Sequence, residues 1–117
     1  MRKILVVDDA EFMRTSLKLL LESEAYEIIE AQDGYEAVEM YKQHQPDAVT
    51  MDINMPEKSG IEAIKEIIAI DPKAKIVVIT SMGTEYMIRD AIQFGAANFI
   101  IKPFEDDQIR EVIKKLV

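Results

Sequence analysis

Cysteine and tryptophan are absent from this 117-residue chain, histidine occurs once, and basic residues are in deficit, 14 against 22 acidic ones. Without cysteine there is no disulfide scaffold, no thiolate metal site and no cysteine nucleophile. A single histidine, His44 at the end of the second helical segment, rules out a histidine-rich zinc centre. No apolar run approaches the roughly 20 residues of a membrane-spanning helix. The first apolar stretch, Ile4–Val7, ends at once in Asp8-Asp9, unlike a signal peptide. A net charge of −8 repels phosphate backbones, so nucleic acid is not expected as a direct partner. These absences lead to the expectation of a soluble, cytoplasmic protein.

Apolar residues make up 49% of the chain. At this length one domain, residues 1–117, should bury roughly two-thirds of its unfolded surface. Short β-branched runs recur at Lys3–Val7, Glu27–Ala31, Ala48–Met51, Ile76–Thr80 and Asn98–Ile101, with starts 24, 21, 28 and 22 residues apart. Between them apolar residues take helical spacing: Met13, Leu17, Leu20 and Leu21; Gly34, Ala37, Val38 and Tyr41; Ile61, Ile64 and Ile68. A weaker stripe runs through Ile88, Ala91 and Ile92, and a strong one through Ile109, Val112, Ile113, Leu116 and Val117. Asp33 with Glu36, and Ser59 with Glu62, read as amino-terminal caps. Gly95 and Pro72 stand where the fourth and third helices should stop.

The pattern predicts an α/β protein, (βα)5. Strands joined through helices pair in parallel with right-handed crossovers, giving a doubly wound sheet covered on both faces. LVV and VVI are apolar at consecutive positions, as strands buried on both sides should be. For five strands the expected order is 2-1-3-4-5, the flavodoxin-like arrangement, with ligands binding at the switch point beyond the carboxyl ends of strands 1 and 3.

Strand 1 ends in Val7-Asp8-Asp9 and strand 3 in Met51-Asp52, so this order brings Asp8, Asp9 and Asp52 into one crevice. Three adjacent carboxylates repel, and a cation relieves them. With oxygen donors only, Mg²⁺ is the natural ion. The plainer alternative is that such residues cap helices, Asp9 capping the first. Strand 4 ends in Thr80-Ser81 and strand 5 in Lys102-Pro103, adding a hydroxyl and a cation to the same edge. An acid cluster with Mg²⁺, a donor and a lysine suits a phosphoryl group. Its acceptor would be a carboxylate, since no serine–histidine or cysteine–histidine pair is available. Only its place nearest the middle of the crevice singles out Asp52.

In this order and spacing, LVVDD, VTMDINMP, VITS and FIIKPF resemble the receiver domains of two-component signalling, over essentially the whole chain. DDAEFMR after the first strand, VTMDINMPEKSG and the SMG after Thr80 are similar to stand-alone, CheY-like chemotaxis regulators found outside the enteric bacteria. The resemblance implies Asp52 as phosphoacceptor and Asp9 as a direct Mg²⁺ ligand. It implies Asp8 acting through metal-bound water, and the Asn54 backbone carbonyl completing the metal site. Thr80 matches the switch hydroxyl, Lys102 the lysine that pairs with the phosphoryl group, and Phe99 the aromatic switch position. The Lys102-Pro103 bond matches one that is cis in the family, against a base rate of about 5–6% for X–Pro bonds. Asn54 and Met82 match the positions that tune dephosphorylation.

Three departures from the family pattern stand out. Phe99 lacks the hydroxyl of the tyrosine found in many chemotaxis members. Ser81, larger than the usual alanine, would crowd an inward Phe99. Met82 offers no polar group to orient water.

The implied function is a phosphorylation-activated switch, a signalling protein that catalyses only its own phosphoryl transfer and slow self-dephosphorylation. A histidine kinase would be its donor and a phosphatase a further partner. Its output face would be the fourth helix, fifth strand and fifth helix, docking as a monomer to a flagellar motor switch component. A phosphorelay intermediate, or the receiver module of another two-component pathway, is the alternative. The end at Val117, with no basic helix-turn-helix following, favours the stand-alone form. A haloacid-dehalogenase-type hydrolase would need a second aspartate where Asn54 stands. A flavin mononucleotide carrier would need a hydroxyl- and glycine-rich loop where DDAEFMR stands.

Overall fold

A computed structural model describes residues 1–81 and 85–117. Strands and helices alternate: β1 Lys3–Val7, α1 Glu11–Glu22, β2 Glu27–Ala31, α2 Gly34–His44, β3 Ala48–Met51, α3 Gly60–Ile70, β4 Ile76–Thr80, α4 Glu85–Gln93, β5 Asn98–Ile101 and α5 Asp106–Leu116. All neighbouring strands pair in parallel, in the order β2-β1-β3-β4-β5. This is the doubly wound, flavodoxin-like sheet that the spacing predicts. Among the described residues no helix is long and apolar enough to cross a membrane.

Two cores follow from the period of a strand. Leu5 and Val7 point to one face of β1, where Ala37, Val38 and Tyr41 of α2 and Ile64 and Ile67 of α3 cover them. Ile4 and Val6 point to the other, against Leu17 and Leu21 of α1 and Ile109 and Ile113 of α5. β1 and β4 therefore read as unbroken apolar runs, each buried side chain contributing about 1.5–3 kcal/mol. β5 lies at the sheet edge, and only Ile100 of its four residues is buried.

The helix stripes need two adjustments. In α3 the buried centre is Ala63, Ile64 and Ile67, with Ile61 and Ile68 packed at its margins. In α4 only Ala91 is buried and Ile92 is 43% exposed. Caps are as the sequence indicates at α2 and α3: Asp33 accepts from the Glu36 N–H at 2.7 Å, and Ser59 from that of Glu62 at 3.2 Å. After α4, Gly95 turns with φ +123°, and a Cβ there would meet Ile68 Cγ1 at 2.6 Å.

Candidate functional site

The ladder β2-β1-β3 continues past its last formal pairs. Asp8 N–H donates to the Ala31 carbonyl at 3.1 Å, and Asp52 N–H to the Val7 carbonyl at 3.0 Å. These two bonds carry the strand ends side by side, and the carboxylates converge. Asp8, Asp9 and Asp52 each offer an oxygen, and the three lie within 4.8 Å of one another. Asp8 and Asp52 are buried, whereas Asp9 stands in solvent at the mouth.

The first helix is not capped by Asp9. Its N-cap is Ala10, whose N–H is taken by Asp8 Oδ1 at 2.9 Å. Asp8 thus serves the helix with one oxygen and the crevice with the other, because its side chain points inward and that of Asp9 outward. Lys102 reaches back to Asp8 Oδ2 at 2.6 Å. It comes from the end of β5 because its N–H continues the edge ladder onto the Thr80 carbonyl at 2.9 Å. The bond from Lys102 to Pro103 is cis.

Asp52 lies between opposing influences. Burial pushes its carboxyl above the ordinary carboxylate range, and the negative charge of Asp8 adds to that. Lys102, the Asn54 N–H at 3.3 Å and the Thr80 hydroxyl pull the other way without cancelling it. A further cation beside Asp52 would offset both the burial and the repulsion from Asp8. The donor set is all oxygen, hard and anionic, and fits Mg²⁺. Asn54 is exposed on the loop after β3, with its carbonyl on the same short segment as Asp52.

Other residues singled out by sequence lie nearby. Thr80 is fully buried and hydrogen-bonded toward Asp52. Ser81 is exposed at the end of β4, and Phe99, on the edge strand, is 41% exposed. Met82 falls outside the described residues. A cleft of about 310 Å³ lined by Asp9, Gln32, Asp33, Pro56 and Glu57 leads to the acid cluster.

Two residues enter that sequence reasoning passed over. Arg14, one turn into α1, donates to the Asp8 carbonyl at 2.8 Å and sits 3.4 Å from Glu30. Its only signal was membership of the DDAEFMR stretch. Lys58, in the loop after Asp52, is buried, and nothing in its sequence context announces that.

Known proteins match this geometry. The response regulator receiver domain family covers residues 4–114. The chemotaxis protein CheY of Bacillus subtilis is 52% identical, over 97% of this chain and 95% of its own length. That of Thermotoga maritima is 51% identical, over 98% and 97%. Among solved structures, the CheX–CheY–BeF3–Mg²⁺ complex from Borrelia burgdorferi superposes with a TM-score of 0.93 at 35% identity, over 98% of this chain and 88% of that one. An acid triad of the Mg²⁺ type, a five-stranded 2-1-3-4-5 sheet and full-length relatives agree: the chain belongs to the response regulator receiver domain family, as a CheY-like, phosphorylation-activated signalling protein.

Proposed function

We propose that residues 1–117 act as one receiver unit in the cytoplasm, taking a phosphoryl group from the phosphohistidine of a histidine kinase onto Asp52. What supports this reading above all is the convergence of three carboxylates within 4.8 Å around a buried Asp52, with Lys102 and Thr80 beside it. Asp9, Asp52 and the Asn54 carbonyl would hold Mg²⁺, with Asp8 as the further acidic residue of the pocket, and the ion would supply positive charge for the transferred oxygens.

Asp52 supplies the attacking oxygen. Its bond to phosphorus forms as the phosphorus–nitrogen bond breaks, and the imidazole leaves with that electron pair. Lys102, now held by Asp8, turns its ammonium to the incoming phosphoryl oxygens, and the Thr80 hydroxyl donates to another. Both donors are then drawn inward. The space beside β4 opens to Phe99, which lies two-fifths exposed on the edge strand, and the face of α4, β5 and α5 shifts toward partner binding. Ser81 limits how far that ring can enter. Asn54 and Met82 set how readily water attacks the acyl phosphate.

The CheY relatives point to chemotaxis, with a flagellar motor switch component as output and a monomer as the acting form. A phosphatase partner is consistent with the CheX complex of the Borrelia relative.

The test is incubation with Mg²⁺ and acetyl phosphate, read as intact mass with and without EDTA. One phosphoryl group should be gained, only with Mg²⁺, and not by Asp52→Asn. Equal gain by Asp52→Asn would move the acceptor elsewhere.

A further inference from the structure

The segment after Asp52 leaves the sheet and returns at Gly60, and its return is tightly pinned. A Cβ at Gly60 would meet Ile53 Cα at 2.6 Å, so the start of α3 presses directly on the acceptor strand's end. Between these points the Lys58 N–H donates to the Pro56 carbonyl at 2.8 Å, across Glu57 with φ +66°. A three-residue turn of this hand is rare and strained for a residue with a side chain. Strain of this kind persists only where the surroundings over-determine it.

Lys58 provides that determination. Only 8% exposed, it forms an ion pair with Glu66 of α3, and its ammonium lies 4.8 Å from the ring centroid of Tyr35 on α2. Its stem lies over Gly34, where a Cβ would meet Lys58 Cγ and the Lys58 carbonyl oxygen at 2.7 Å. One side chain therefore ties the strained turn to two helices. An apolar chain of equal length would fill the same space, and a buried ion pair rarely adds net stability over such packing. What the pair adds is direction: a fixed seat for the end of the loop.

We propose that Lys58 is a positioning residue for phosphoryl transfer, fixing the 53–59 loop through Glu66, Tyr35 and Gly34 so that the Asn54 carbonyl stands ready for Mg²⁺. This rests on the reading of Asp52 and Asn54 given above. Lys58 touches neither the ion nor the phosphoryl group, and its charge is neutralised by Glu66. Its effect is therefore on metal affinity, through the loop.

The experiment is calorimetric titration of the full chain with Mg²⁺, alongside acetyl phosphate labelling. Lys58→Met keeps the stem and removes the charge, and Glu66→Gln breaks the pair from the half-exposed side, where folding is least at risk. Each should weaken Mg²⁺ binding about tenfold, the scale expected when a ligand's support is lost, and Lys58→Arg should restore most of it. Binding within twofold of the parent in both Lys58→Met and Glu66→Gln overturns the proposal, even if both melt earlier, because a purely structural lysine would lower melting temperature alone. If the parent binds Mg²⁺ but takes no phosphoryl group, the acceptor reading fails while the affinity comparison still decides the role of Lys58. A parent that binds no Mg²⁺ overturns both.

Discussion

At the amino-terminal edge of the sheet, the Tyr41 hydroxyl donates to Asp71 Oδ2 at 2.7 Å and the Lys73 N–H to Oδ1 at 3.0 Å. At the carboxyl-terminal edge, Asp8, Asp9 and Asp52 crowd together with a single lysine, Lys102, paired to Asp8. The first cluster has donors for both oxygens of its one carboxylate, and the Tyr41 hydrogen bond holds Asp71 below the ordinary range. The second has more anions than cations, and burial with Asp8 pushes Asp52 above it. Size does not separate the two. The cleft beside Tyr41 and Asp71 is about 410 Å³, that beside Asp9 and Glu57 about 310 Å³. Saturation does: a structural polar cluster is complete in itself, whereas a working one is left short of the ligand it awaits.

The largest effect is expected from removing Lys102, the cation paired with the Asp8 carboxylate at the unsaturated end. Lys102→Met should slow labelling by acetyl phosphate about 10²–10³-fold, the cost of losing one preorganised charge partner in phosphoryl or acyl transfer. Mg²⁺ affinity should rise severalfold in the same variant, because Asp8 is freed from its ion pair. Labelling kinetics and calorimetry read the two effects separately. Slower labelling with unchanged Mg²⁺ affinity would mean that Asp8 takes no part in the charge shortage.

Next in size is the saturated end. Tyr41→Phe removes a donor from Asp71 without changing the packed ring, and should cost about 1 kcal/mol in urea unfolding. Labelling should stay within twofold of the parent. A loss of labelling would mean that the two edges are coupled through α2.

Much of this arrangement is legible in sequence because burial on both faces leaves a central strand few polar positions. KILVV and IVVIT could only be central strands, and once their order is set Asp8, Asp9 and Asp52 must meet. What escapes is whatever depends on helix rotation or on which way a loop side chain turns. Tyr41 and Asp71 are 30 residues apart, and their bond exists only because α2 and α3 present those positions to one another. Ile92 sits on the predicted apolar stripe of α4 yet faces water, since a nine-residue helix with one buried side chain does not have its phase fixed by pattern alone. Asp8 rather than Asp9 meets the first helix because the chain turns between them, a backbone matter that two adjacent aspartates cannot signal. The burial of Lys58 has no sequence signal and shows only in the surroundings that Glu66, Tyr35 and Gly34 give it.

The smallest effect is the one that sets the two carboxylates directly against each other, as opposite slopes of stability with pH. Asp52 is raised in the folded state, so the native chain binds its proton more tightly than the unfolded chain does. Its contribution is present below the unfolded value near 3.8 and is lost as pH rises through the raised folded value. Asp71 is lowered, so its contribution is present above 3.8 and lost as pH falls through the lowered value. Without Mg²⁺, Asp52→Asn should therefore be more stable than the parent at neutral pH. That advantage should shrink as pH falls through the raised Asp52 value. Asp71→Asn should behave in reverse, weaker than the parent at neutral pH and converging with it only in acid. Urea unfolding of the three proteins from pH 3 to pH 8 reads all the slopes, and added Mg²⁺ should flatten only those of chains that keep Asp52, since the ion takes the place of the proton. A constant gap between Asp52→Asn and the parent would mean that Lys102, Asn54 and Thr80 already balance Asp52, and that the carboxyl-terminal edge is as complete as the other.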